Sequence, residues 1–158
     1  MNILTKYNAY LKLFGLTKIP LLLFVNPRIT KLTQEEVEVK IPLNWRTKNH
    51  LKSMYFGSLA IGVDTAGGLL ATRFIQESKK KVHLSFKDFQ ANFLKRAQSD
   101  AYFVNTQGKE IKNLVDEIIA SPGLRKNLTL RVDVFSKNEM VANCFITLSL
   151  KMNAPTPS

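Results

Sequence analysis

The sequence predicts an α+β fold: a strand, one long helix, then a meander of antiparallel strands. Three observations predict it. From Met54 to Thr72 the only charged residue is Asp64, inside a run of small and aliphatic residues suited to a buried helix. Ahead of it, Val37, Val39 and Ile41 alternate with Glu36, Glu38 and Lys40, the period-two mark of a half-buried strand. Behind it, Leu128–Phe135 and Val141–Met152 alternate in the same way. A meander with one apolar face needs such a helix laid against it.

In chain order, Ile3, Tyr7, Leu11 and Phe14 recur at helical spacing up to Gly15, which predicts a short N-terminal amphipathic helix. Pro20, Pro27 and Pro42 then punctuate an extended region. The central helix is read from NHLKSMYFGSLAIGVDTAGG, Asn49 to Gly68, and closes near Gln76. Gly57, Gly62, Gly67 and Gly68 interrupt it at a cost of about 1 kcal/mol each relative to alanine. Such a helix is tolerated where something must approach its backbone closely. Val82, Leu84 and Phe86 share one parity and Phe89, Ala91 and Phe93 the other, so a bulge or bend is expected near Lys87–Asp88. Ala101–Val104 reads as a short strand. Ile111, Leu114, Val115, Ile118 and Ile119 mark one face of a helix that Pro122–Gly123 stop. The last two runs form a hairpin across a four-residue loop, Ser136–Glu139. One domain is expected over 1–152, followed by a disordered tail at 153–158.

Composition narrows the function. At 158 residues, with 45% hydrophobic and 22% charged, the chain has the balance of a folded domain. Its single cysteine, Cys144, excludes an intrachain disulfide and a thiolate metal cluster, and its apolar setting reads as an inert core thiol. His50 and His83 have no carboxylate or cysteine at ligand spacing, so no metal is expected. A net charge of +11 and a pI near 9.9 raise nucleic acid, anionic membrane or a phosphorylated small molecule as partners. The basic residues are spread along the chain apart from Lys79–Lys81, and no nucleic-acid motif accompanies them. The Met54–Thr72 run is nearly long enough to span a bilayer, but a central aspartate opposes insertion. The expectation is a cytoplasmic protein with neither nucleic acid nor membrane as partner.

The pattern Asn49, Gly57 and Asp64, with Asn49 and Asp64 fifteen apart, resembles the hotdog-fold thioesterase superfamily, in particular the phenylacetyl-CoA type. That type carries Asn, a short spacer, His-Gly-Gly and a central-helix Asp. Tyr55 stands here in place of the histidine, Phe56 in place of the first glycine, and Gly57 matches the second. The wording MYFGSLA…DTAGG, the FLKRA strand end and the extra helix Gln107–Ala120 are more similar to a bacterial hotdog family labelled acyl-CoA thioesterase-like. The resemblance covers roughly Val37 to Lys151. It implies an antiparallel sheet wrapped around the long central helix, subunits paired into a homodimer or a dimer of such dimers, and sites at the subunit interface.

It also implies roles. Asp64 would act as base or nucleophile, and the backbone N–H of Phe56 or Gly57 would polarise the thioester carbonyl at the positive end of the helix. Asn49 would orient the attacking water or the thioester. Met54 and Tyr55 would meet the acyl side. Arg46 and Lys52, with Lys48, Arg73 or Lys79–Lys81 as further candidates, would receive coenzyme A phosphates. Ser85 is a conceivable polar helper. Asp64 lies seven or eight residues past the donors, about 10–12 Å along the axis, so one subunit does not readily supply both groups. The expected function is acyl-CoA hydrolysis by carboxylate-assisted water attack, without a cofactor. The alternatives are a non-catalytic acyl or acyl-CoA binding protein, nucleic-acid binding through charge, and a dehydratase, which would ordinarily use a histidine base.

Overall fold

The computed structural model describes residues 1–157. Ten elements follow in order: α1 (Ile3–Thr17), α2 (Pro20–Val25), β1 (Arg28–Leu32), β2 (Val37–Ile41), α3 (Phe56–Ser78), β3 (Val82–Phe93), β4 (Ala101–Asn105), α4 (Gly108–Ala120), β5 (Arg125–Ser136) and β6 (Glu139–Met152). The six strands form one antiparallel sheet in the order β1-β2-β4-β5-β6-β3. The sheet wraps α3, whose Val63, Ala66, Leu70 and Phe74 are buried among Val39, Phe103, Leu130, Val132 and Leu148. This is the α+β architecture expected, a sheet rolled around one long helix.

The helix glycines answer to packing. A β-carbon on Gly62 would collide with the fully buried Phe103 ring, and one on Gly67 would press on Ile146 at 3.0 Å. Small residues let α3 sink into the curve of the sheet.

Four sequence expectations change. The extended region after Pro20 contains α2, because proline at the first helical position is already set for the turn, and Leu22 and Val25 are buried. An apolar run as short as Ile19–Val25 carries no period that separates helix from strand. The N-terminal helix passes Gly15 and ends at Thr17. Gly15 serves contact with the Leu23 backbone, where a β-carbon would lie 2.9 Å from nitrogen, so α1 and α2 close into a tight hairpin. The central helix starts at Phe56, seven residues after Asn49, since residues 49–53 fold into a loop with Lys52 in the left-handed region. The β5–β6 turn has two residues, not four: Ser136 pairs with Glu139, and Lys137 and Asn138 both take positive φ (51° and 59°), the form whose twist suits a hairpin.

Between Phe86 and Phe89, β3 gains one residue against Leu148 and Ile146 of β6, the expected bulge. Asn8 holds α1 to the sheet, its side-chain NH₂ donating to Ile29 O (3.0 Å) and its Oδ1 accepting from Ile29 N (2.8 Å). Arg73 is buried, donating to Glu77 (2.8 Å) and to Thr33 O (2.8 Å), which commits it to the β1–β2 turn and away from any coenzyme phosphate. No helix is long and apolar enough to cross a membrane among the described residues. Of the tail, Ser158 lies outside the described residues, and 153–157 carry no regular structure.

Candidate functional site

Of the sequence-predicted residues, Asn49, Met54, Tyr55 and Phe56 line one cleft and Asp64 another, at opposite ends of β3. The first surrounds the start of α3. Asn49, His50, Met54, Tyr55, Phe56 and Leu59 line about 330 Å³ together with Phe93, Lys95, Arg96 and Ala97 from the end of β3 and the segment after it. Its geometry is set by the loop before the helix. Asn49 Oδ1 accepts from Leu51 N (2.9 Å), Ser53 N (3.2 Å) and Ser53 Oγ (3.2 Å). That oxygen is committed to its own loop, and the amide nitrogen is what Asn49 has left to offer a ligand. Met54 is buried and its N–H donates to Ala97 O (2.8 Å), which ties the loop to the segment after β3.

Tyr55 is the residue before the first helical turn, in extended conformation, and its N–H donates to Thr47 O (2.8 Å). Its carbonyl accepts from Ser58 N (2.9 Å) and Leu59 N (3.2 Å). The N–H groups of Phe56 and Gly57 precede every intrahelical acceptor and are the free donors of the helix start. The helix dipole adds positive potential there. The Tyr55 ring lies over Gly57, where a β-carbon would stand 2.5 Å from it, and packs 4.8 Å from the Phe56 ring. Tyr55 is 49% and Phe56 62% exposed.

The second cleft, about 260 Å³, holds Asp64. Tyr10, Leu11 and Phe14 of α1, Ile19 and Leu22 at α2, and Leu84 and Phe86 of β3 line it, with Thr65, Thr72 and Ser85 as the polar neighbours. Asp64 is half-buried, and among the described residues no cation or hydrogen-bond donor meets its carboxylate. Burial raises its pKa above the usual carboxylate value. A carboxylate partly withdrawn from solvent and given no partner is a stronger base than one in water. The two clefts are separated by roughly the seven- or eight-residue rise from Gly57 or Phe56 to Asp64, about 10–12 Å.

Arg46 and Lys52 line neither cleft. The Arg46 guanidinium lies over Phe24 and Trp45, 5.7 and 5.3 Å from the ring centroids, and Lys52 is exposed in the Asn49 loop. Lys95, Arg96 and His50 are the cationic or titratable groups the structure adds to the first cleft, and Tyr10 and Phe14 are its additions to the second. The FLKRA wording marks the first pair; no spacing links residue 10 to residue 64. The Cys144 thiol is held up at about 11 by burial, an inert group away from both clefts. Among the described residues no three His, Cys, Asp or Glu side chains are grouped for a metal ion.

Solved structures share this architecture. A thioesterase from Haemophilus influenzae superposes with a TM-score of 0.71 at 15% identity, covering 100% of this chain and 96% of its own. A Pseudomonas aeruginosa protein of unknown function, described as a probable thioesterase, gives 0.73 at 21% identity, with 96% and 97% covered. A protein of unknown function from Chlorobaculum tepidum gives 0.81 at 12% identity, with 95% and 97% covered. At these identities the likeness establishes the fold, which is the hotdog fold. Among curated proteins none matches the chain by sequence. From residue 8 to residue 150 the sequence matches one family profile, and the chain therefore belongs to the family described as a domain of unknown function, DUF4442.

Proposed function

We propose that this protein is an acyl-CoA thioesterase whose reaction site is assembled from both clefts across a homodimer. The observation that carries the reading is the placement of Asp64 and the Phe56–Gly57 amides at opposite ends of one free-edged strand. β3 is the last strand of the sheet, twelve residues long, with Phe89, Phe93 and Leu94 exposed. An antiparallel pairing of β3 with its copy, centred near Asp88–Phe89, sets Phe93 of one subunit beside Leu84 of the other. The helix start of each subunit then faces the carboxylate cleft of its mate.

In that arrangement the thioester carbonyl accepts from the free N–H of Phe56 or Gly57. Asp64, its pKa raised by burial, takes a proton from water as the water attacks the carbonyl carbon. The amides stabilise the oxyanion as it forms, the C–S bond breaks, and the thiolate leaves and is protonated. Asn49 offers its amide nitrogen to orient the acyl oxygen. Arg96, in the lining of the first cleft, suits the coenzyme phosphates better than Arg46 and Lys52, which do not line it, while Lys95 beside it is paired with Glu139 at 2.9 Å.

Thiol release from a panel of short, long and aromatic acyl-CoAs tests the reading. Asp64→Ala should lower hydrolysis by about a hundredfold or more, the range of a positioned base, and leave the dimer folded. An unchanged rate rejects the assignment. The second reading, a non-catalytic acyl-CoA binder, is favoured by the Tyr55 and Phe56 rings packed at the donor amides. Saturable binding of acyl-CoA with no thiol released across the panel would select it.

A further inference from the structure

A separate surface, used by neither cleft's chemistry, faces outward on the α1–α2 hairpin. Leu13 and Leu16, three residues apart on α1, are 60% and 66% exposed, and Leu21 and Phe24 extend the apolar character onto α2. Trp45 is 70% exposed and meets Phe24 edge-on at 5.9 Å between centroids. The Arg46 guanidinium covers both rings. Large exposed apolar side chains concentrated in one region mark a docking surface.

Charge says what docks there. From Met1 to Gln34 the chain has no acidic residue, while Lys6, Lys12, Lys18, Arg28 and Lys31 are basic. From Pro42 to Val63 there is again no acid, with Arg46, Lys48 and Lys52 present. A second copy docked face to face by a twofold would set Lys12, Lys18 and Arg46 against their own copies, with no acidic residue on α1 or α2 to answer them. A bilayer rich in anionic headgroups answers both features at once. Leucines and an aromatic reach the acyl boundary while lysines and arginines meet phosphates. Tryptophan favours that boundary, where its ring is apolar and its N–H finds a wet partner.

We propose that the α1–α2 hairpin, with Trp45 and Arg46, docks this protein on the surface of an anionic phospholipid bilayer. The contact is interfacial, since among the described residues no helix is long and apolar enough to span. The same hairpin walls the Asp64 cleft through Leu11, Phe14, Ile19 and Leu22, so docking would place that cleft close to the membrane plane. The inference does not depend on the thioesterase reading and is tested without any substrate.

Trp45 is the only tryptophan, so its emission reports on this surface alone. Titrating the full chain with vesicles of phosphatidylglycerol and phosphatidylcholine should shift the emission to the blue and carry the protein with floated vesicles. Pure phosphatidylcholine should do neither, and added salt should reverse the shift. Lys18→Gln should weaken vesicle affinity by about fivefold, the effect of one basic residue near an anionic surface. Leu16→Ser should weaken it further, with an unchanged unfolding midpoint showing the fold intact. Absence of any shift with anionic vesicles overturns the proposal. So does a blue shift that appears on raising protein concentration without lipid, which would assign the face to a second copy.

Discussion

The Phe103 ring of β4 fills the space that a β-carbon on Gly62 of α3 would need. One glycine and one fully buried aromatic thereby fix how deep the central helix lies in the sheet, and so where Asp64, two residues on, emerges.

Gly62→Ala is expected to destabilise the fold by about 1–3 kcal/mol, the cost of overpacking, even though alanine is the better helix former by about 1 kcal/mol. Denaturant unfolding measures it. Phe103→Leu in the same chain should recover much of the loss; equal stability of Gly62→Ala and the parent would contradict the close approach.

A shared site predicts complementation. Asp64→Asn and Gly57→Trp, each inactive alone, should regain activity when their subunits are mixed by unfolding and refolding together. Half of the pairs are then mixed and each carries one intact site, so recovery should approach about a quarter of the parent rate. No recovery would place both groups within one subunit.

Asp64 also predicts a pH dependence of stability. Its folded pKa is raised by burial, so the charged form costs stability, and that cost builds as pH rises from the unfolded carboxyl's value and is complete above the folded one. Asp64→Asn should therefore unfold later than the parent at neutral pH. The gap should close below about pH 4, where the unfolded carboxylate is itself protonated. Melting curves from acid to neutral pH decide it, and a variant less stable at pH 7 would show that the carboxylate has a favourable partner.

On the free edge, Phe89→Glu should bring two carboxylates close together across a β3 pairing. Sedimentation should show more single subunits, and thiol release should fall in the same proportion. A fully paired variant would move the interface elsewhere.

Asn49→Ala should loosen the loop before the helix, because one side-chain oxygen holds Leu51 N, Ser53 N and Ser53 Oγ. The expected loss is about 1–3 kcal/mol of stability, in line with stranding partly buried donors. Any further fall in turnover beyond that of equally destabilised controls would measure its role toward substrate.

Much of the fold was legible because its signals are local. Alternation marks β2, β5 and β6, and the parity change between Phe86 and Phe89 marks the bulge of β3. What escaped depends on distant partners. Ile29 and Leu32 of β1 lie three apart across an irregularity and so show no period of two, and the strand is held by Asn8 from another element. The helix start was misplaced because Asn49 to Met54 contains no strong breaker, and the turn at Lys52 is made by hydrogen bonds to Asn49. At the site, the Asn49–Asp64 spacing singled out both residues, yet it could not say that they lie in separate clefts. Arg73 looked available for phosphate and is consumed by Glu77 and Thr33.

The two margins of the sheet are built differently. β1 is five residues long, kinked by an irregularity between Ile29 and Lys31, and pairs its Lys31 with Glu36. β3 is more than twice as long and bare. Short, kinked, lysine-bearing margins resist further strands. Growth by strand addition is thus open from one side alone, and the proposed pairing of β3 with its copy would use that side up. Such a pairing would stop at two, sparing a basic, leucine-rich protein the risk of an endless ribbon.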